Sequence, residues 1–92
     1  MNCFALIKPQ SYLSWQILED KIIIKNEKNQ SYFEFEDTGF EIVRMILCED
    51  VSIKLIVDKM SKIYDVDYNV LLSDVEEFLN NLIKDKLVFL NE

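Results

Sequence analysis

Histidine is absent from this chain of 92 residues, glycine and proline occur once each, and cysteine twice. Without histidine there is no imidazole base, no Cys–His pair and no mixed Cys/His zinc site. A Ser or Cys nucleophile would then need a Lys or carboxylate base, and no local motif marks one. Cys3 and Cys48 lack a CxxC spacing and read as reduced packing residues. A single glycine, Gly39, cannot build the phosphate-cradling loops GxGxxG or GxxxxGK[ST]. These absences predict a non-enzyme with no cofactor, no catalytic residue and no metal ligand. The scarcity of Gly and Pro, with half the residues hydrophobic, excludes the profile of a disordered chain.

Positive charge is also in deficit. Ten basic residues face 17 acidic ones, a net charge of -7. Such a surface repels phosphate backbones, so nucleic acid is a poor partner, and it favours a basic peptide over an acidic one. Apolar runs are too short for a membrane span, which needs about 18 residues or more. The opening MNCFALIKPQ has only a brief apolar patch, with no preceding positive cluster and no small-residue cleavage site. A soluble cytoplasmic protein without a membrane partner is expected. No repeat or linker divides the chain, and its length suits one core, so residues 1–92 are expected to form one domain.

The residues present carry clear periodicities. Leu13, Trp15 and Ile17 alternate with Ser14 and Gln16 in the period-2 pattern of a half-buried strand. KIIIK from Lys21 to Lys25 predicts a second strand, and Phe33 and Phe35 alternating with Tyr32, Glu34 and Glu36 a third. Asn26-Glu27-Lys28-Asn29 joins these two as a hairpin, its two Asn residues tolerating left-handed backbone.

Beyond Asp37 and Thr38, either of which can cap a helix, Phe40, Val43, Ile46 and Leu47 recur at helical spacing as far as Cys48. Ser52 caps a second helix with the stripe Ile53, Ile56, Met60 and Ile63, ending at Tyr64-Asp65. Asp67 caps a third, striped by Leu71, Val75, Phe78 and Leu82 and flanked by Leu72, Leu79 and Ile83. At about 100° per residue this last stripe covers roughly 140°, wider than the ~100° that docking on one surface requires. LVFLN closes the chain as a short apolar strand or extended tail. The expected fold is α+β: a three-stranded antiparallel sheet followed by a three-helix bundle, winged helix-turn-helix-like.

Paired carboxylates offer no site, because neighbours such as Glu76 and Glu77 point about 100° apart on a helix. Backbone chemistry remains. A three-stranded sheet has two edges whose N–H and C=O groups another strand can satisfy, and an edge beside an apolar helix face makes a peptide groove.

The ordered series YFEFEDTGFEIVRMI, VSIKLIVDKMSKIYDVD and DVEEFLNNLIKDKLV, spanning about Lys21 to Val88, resembles the PqqD-like family. These are leader-recognition domains for ribosomally made, post-translationally modified peptides, including those of pyrroloquinoline quinone and lasso-peptide biosynthesis. The resemblance implies a non-catalytic domain that adds the leader of a precursor peptide to its third strand, against its third helix. Carried over by position, the strand is Ser31, Tyr32, Phe33, Glu34 and Phe35, and the helix wall is Leu71, Asp74, Val75 and Phe78. Asp74 is placed to meet a basic leader side chain. The implied partners are the leader and a separate enzyme, either a leader protease or a modifying enzyme of the radical-SAM type.

Two departures from the family pattern bear on the helix ends. Glu36 stands where Asn is common, which implies that Asp37 or Thr38 takes over the capping. Lys86 stands where Gly is usual, which implies a differently ended third helix. Two competing readings are a winged-helix nucleic-acid binder, against which the acidic third helix speaks, and a homodimer that pairs edge strands.

Overall fold

The computed structural model describes residues 1–92 as two three-stranded antiparallel sheets and three helices. Strands β2 (Leu13–Ile17), β3 (Lys21–Asn26) and β4 (Ser31–Glu36) form the expected meander, in the order β2-β3-β4. The three expected helices follow: α1 (Asp37–Cys48), α2 (Ile53–Ser61) and α3 (Tyr68–Lys84). A second sheet corrects the simpler expectation of one sheet followed by a helical bundle. Strand β1 (Leu6–Pro9) lies at its centre, flanked by β5 (Val51–Ser52) and β6 (Val88–Asn91). The opening apolar patch is therefore a central strand, and LVFLN supplies its neighbour.

Helix α1 packs against β1, β3 and β4 and so joins the two sheets. Its buried Ile42, Val43, Met45 and Ile46 meet Ile22 and Ile24 of β3 and Ile7 of β1 in one continuous core. Helices α2 and α3 complete that core with Ile53, Ile56, Val57 and Met60 from the first and Leu71, Val75, Leu79 and Leu82 from the second. No helix is long and apolar enough to cross a membrane.

The local chemistry follows the sequence in most places. Ser52 caps α2 by accepting from the Leu55 N–H at 3.2 Å, and Asp67 caps α3 by accepting from Asn69 and Val70. Asn26, the one buried polar residue, ends β3 and accepts from the Lys28 and Asn29 N–H groups inside the hairpin loop. The left-handed residue of that loop is Gln30, at φ 64°, and neither of the asparagines. With four loop residues between Asn26 and Ser31, the φ reversal falls on the last of them, where the chain re-enters the ladder.

Three further expectations are revised. The N-cap of α1 is Glu36, whose side chain makes no capping bond, and Asp37 sits at φ 53°. A short polar side chain tolerates that region, so Asp37 turns the chain from strand to helix without capping it. Helix α2 stops at Ser61, because the N–H groups of Lys62 and Ile63 tighten onto the Lys59 and Met60 carbonyls three residues back. This rotates Ile63 out of the stripe and leaves it 63% exposed, while Val57 takes its place in the core. On β2 only Leu13 packs against the core, and Trp15 and Ile17 remain exposed.

The end of α3 is left-handed despite lacking glycine. Lys86 has φ 61°, its N–H donates to Ile83 C=O, and the Leu87 N–H donates to Leu82 C=O, both at 2.9 Å. That pair of bonds is the Schellman pattern, and the Tyr12 hydroxyl fixes it further by donating to Lys86 C=O at 2.7 Å. Lysine in this conformation costs about 1 kcal/mol relative to glycine, partly offset by the greater freedom of an unfolded glycine. Lys86→Gly should therefore raise the unfolding free energy by about 0.5–1 kcal/mol, read as a higher urea midpoint at unchanged slope.

Candidate functional site

Strand β4 is an edge, and the pairing pattern shows which of its backbone groups are free. The Leu18 N–H donates to Lys21 C=O at 2.8 Å and the Glu27 N–H to Tyr12 C=O at 3.0 Å. The odd-numbered residues of β3 therefore bond to β2. Because bonding alternates along an antiparallel strand, Ile22, Ile24 and Asn26 bond to β4, through Phe35, Phe33 and Ser31. The N–H and C=O groups of Tyr32 and Glu34, with the Glu36 N–H, are left facing the open edge, while the Glu36 C=O opens the hydrogen bonding of α1. Of the five strand residues singled out from the sequence, Tyr32 and Glu34 thus offer backbone groups to a guest, while Ser31, Phe33 and Phe35 hold the strand in its sheet.

Side chains divide the same way. Phe33 and Phe35 turn inward and pack on the core, whereas Tyr32 is 64% exposed with Lys25 Nζ 5.7 Å from its ring centre. Glu34 is exposed, with Lys21 Nζ at 3.6 Å. Ser31 is tied to the hairpin loop by bonds from its N–H and hydroxyl to Asn29 Oδ1.

The link to α3 is aromatic. Phe35 and Phe78 meet edge to face, centroids 6.0 Å apart at 77°. Gly39, in the first turn of α1, lies against this pair: a Cβ there would stand 3.4 Å from the Phe78 ring and 3.7 Å from that of Phe35. Both distances are ordinary van der Waals contacts, so a methyl group at Gly39 would fit against the two rings, and a larger side chain would fill the space beside them.

Beside this contact is a cavity of about 260 Å³ with a largely apolar lining. All four α3 residues singled out from the sequence, Leu71, Asp74, Val75 and Phe78, line it. The opposite wall is Thr38, Gly39 and Ile42 of α1, with Met60 of α2 at one end. Sequence reasoning noted Thr38 only as a possible helix cap and Gly39 only as the lone glycine, and missed Ile42 and Met60 as lining residues. Their signal, a place in an apolar helical stripe, is the same as that of any core residue. The wall is not uniform, since Val75 is only 1% exposed and belongs mainly to the core, while Phe78 is half-buried and Asp74 exposed. Asp74 has no ion-pair partner within the chain.

The displaced pKa values lie elsewhere. Bonds from Lys54 Nζ at 2.8 Å and the Tyr68 hydroxyl at 3.0 Å hold the Asp58 carboxyl below its usual range, and Asp58 in turn raises both partners. This cluster ties α2 to the start of α3. The lowered Asp58 value contributes stability above the ordinary carboxylate pKa and loses it as pH falls through the lowered one. No group of His, Cys, Asp and Glu side chains gathers in a metal-binding arrangement.

The family described as coenzyme PQQ synthesis protein D, PqqD, matches residues 21–88, which is most of the chain. The chain belongs to the PqqD family. Among solved structures it is similar to TbiB1, determined in complex with the TbiA(beta) leader peptide. The TM-score is 0.83 at 22% identity, over 88% of this chain and 93% of that one, so the two share a fold. A search of curated proteins gave no match. The PqqD match begins at Lys21 and so leaves out β1 and β2.

Proposed function

We propose that the groove between β4 and α3 holds the leader segment of a ribosomally synthesised precursor peptide as an added β-strand. The chain does no chemistry itself and presents the peptide to a separate processing or modifying enzyme. The observation that carries this reading is the open edge of Tyr32 and Glu34 running beside the cavity at Phe78, in a PqqD-family chain with the fold of a protein solved with a leader peptide.

Main-chain bonds from the guest to Tyr32 and Glu34 provide affinity, and every second guest side chain falls on the Phe33 and Phe35 side of the sheet, towards the cavity. An apolar guest side chain fills the space between Gly39, Ile42 and Phe78, and Asp74 at its rim favours a basic neighbour. Capture of this kind raises the effective concentration of the substrate near a tethered enzyme, such as a leader protease or a radical-SAM-type enzyme, without new contacts at the reacting bond. Such work belongs in the cytoplasm, where the precursor is made.

The helices can also be read as a winged helix-turn-helix, but α3 in the place of a recognition helix exposes Asp74 and Glu77 where phosphate contacts need Lys or Arg. The test is calorimetric titration with the synthetic leader of the precursor encoded beside this protein. Saturable binding at one peptide per chain is expected, and absence of heat up to high micromolar concentration would remove the reading.

A further inference from the structure

The meander has a second edge, β2, and its chemistry differs from that of β4. By the same alternation, Ser14 and Gln16 bond to β3, while Leu13, Trp15 and Ile17 face outward. The Leu13 N–H is taken by Gln10 C=O at 3.4 Å. Its carbonyl, and both groups of Trp15 and Ile17, have no partner strand. Trp15 is 41% and Ile17 40% exposed, on the same face of the sheet as the buried Ile22 and Ile24. Exposed edges usually carry a charge, a proline or a bulge that blocks pairing. Residues Leu13 to Ile17 read LSWQI and carry none of these.

From this contrast we infer that β2 is a self-pairing edge, through which two copies of the chain form a twofold dimer with one continuous six-stranded sheet. Antiparallel pairing centred on Trp15 places each Trp15 opposite its counterpart and each Leu13 opposite Ile17 of the other copy. Four of the five free outward groups then have a partner: the two Trp15 residues exchange N–H···O=C bonds, and each Ile17 N–H reaches a Leu13 carbonyl, while the Ile17 carbonyl, opposite the engaged Leu13 N–H, stays with solvent. No like charges are opposed, since Glu19, beyond the strand, falls nearest Ser11 of the other copy. The exposed indoles and Ile17 side chains meet along the seam, on the side of the sheet that the two α1 helices cover.

Strand β4 cannot pair with itself in this way. Its outward residues are Tyr32, Glu34 and Glu36, and the equivalent register opposes Glu34 to Glu34, a like-charge pair that is unfavourable directly across a ladder. Twofold association at β2 is closed, because the edge used by one copy is the edge used by the other. It leaves β4 and the cavity at Phe78 free in both copies.

Two copies each carrying -7 repel at long range. Added salt screens that repulsion and should therefore promote the dimer. In sedimentation equilibrium the average mass should rise from monomer towards dimer with concentration, and further on going from 20 mM to 500 mM NaCl. Ile17→Lys, which puts a charge on the exposed seam and none in the core, should hold the chain monomeric with an unchanged circular dichroism spectrum.

Geometry is read separately by mild oxidation in a Cys3→Ser, Cys48→Ser background. Trp15→Cys places two thiols on facing hydrogen-bonded residues, with Cα atoms about 5.5 Å apart, within disulfide reach. It should crosslink at least tenfold faster than Tyr32→Cys. A monomer at 1 mM in high salt, or equal crosslinking by the two variants, overturns the proposal. So does dissociation of the dimer by a peptide that occupies β4, whereas a peptide that fails to bind bears only on the function proposed above.

Discussion

Removal of residues 1–9 should abolish cooperative folding, even though the PqqD match begins at Lys21. β1 is the middle strand of its sheet, so its loss leaves β5 and β6 with no partner at all. Ile7 is fully buried and Ala5 nearly so, and the Lys54 N–H at the start of α2 donates to Cys3 C=O. Deletion would uncover Val51, Ile53 and Val88 together. A domain of this size has a stability of about 5–14 kcal/mol, and Ile7→Ala alone should remove about 2–5 kcal/mol, through lost burial and the cavity left behind. Lys8→Ala is the control, because the 2.6 Å pair of Lys8 with Asp50 is exposed on the Asp50 side and contributes less than about 1 kcal/mol. Urea titration of the two point variants, with near-ultraviolet circular dichroism of the truncated chain, checks this. A folded, cooperative 10–92 fragment would show that the second sheet is dispensable.

That sheet is also where sequence reasoning stopped short, for physical reasons. β1 is four residues long and contains a proline and a lysine, and β5 is two residues long. Neither run can display a period. What makes them strands is pairing across the chain, Ile7 with Val51 on one side and Leu90 on the other, which no local window contains. The meander and the caps were legible because their causes are local: alternation in β3 and β4, and Ser52 and Asp67 directly before their helices. Helix α1 began differently because Asp37 reverses φ, and Asp residues that cap and Asp residues that turn look alike in a sequence.

The groove was legible to a similar degree. The excess width of the apolar stripe on α3 marked a surface beyond ordinary docking, and Phe78 at its margin does line the cavity. The stripe could not say that Val75 would be spent on the core, nor that Gly39, far away in sequence, would lie against the ring of Phe78. Nor can side-chain patterning reveal which residues of a strand have free backbone groups, because that depends on the parity of pairing with its neighbour.

Parity gives the sharpest test of the proposed strand addition. In β4 the Glu34 N–H faces the open edge and the Phe33 N–H is committed to β3. Glu34→Pro removes a donor that only a guest can use, and it places the ring where the guest backbone would lie. It should keep the fold, by circular dichroism and thermal midpoint within a few degrees, and lower the affinity for the leader by tenfold or more. Phe33→Pro breaks the ladder to Ile24 and should destabilise the domain outright. Phe78→Ala opens the cavity and removes the edge contact with Phe35. It should weaken binding by a similar factor, at a stability cost below the ~3–5 kcal/mol of a fully buried phenylalanine, because Phe78 is only half-buried. Unchanged affinity in folded Glu34→Pro would mean that the guest does not extend the sheet at β4, whatever else it touches. Loss in Phe78→Ala alone would then place the peptide on the helix face without the strand.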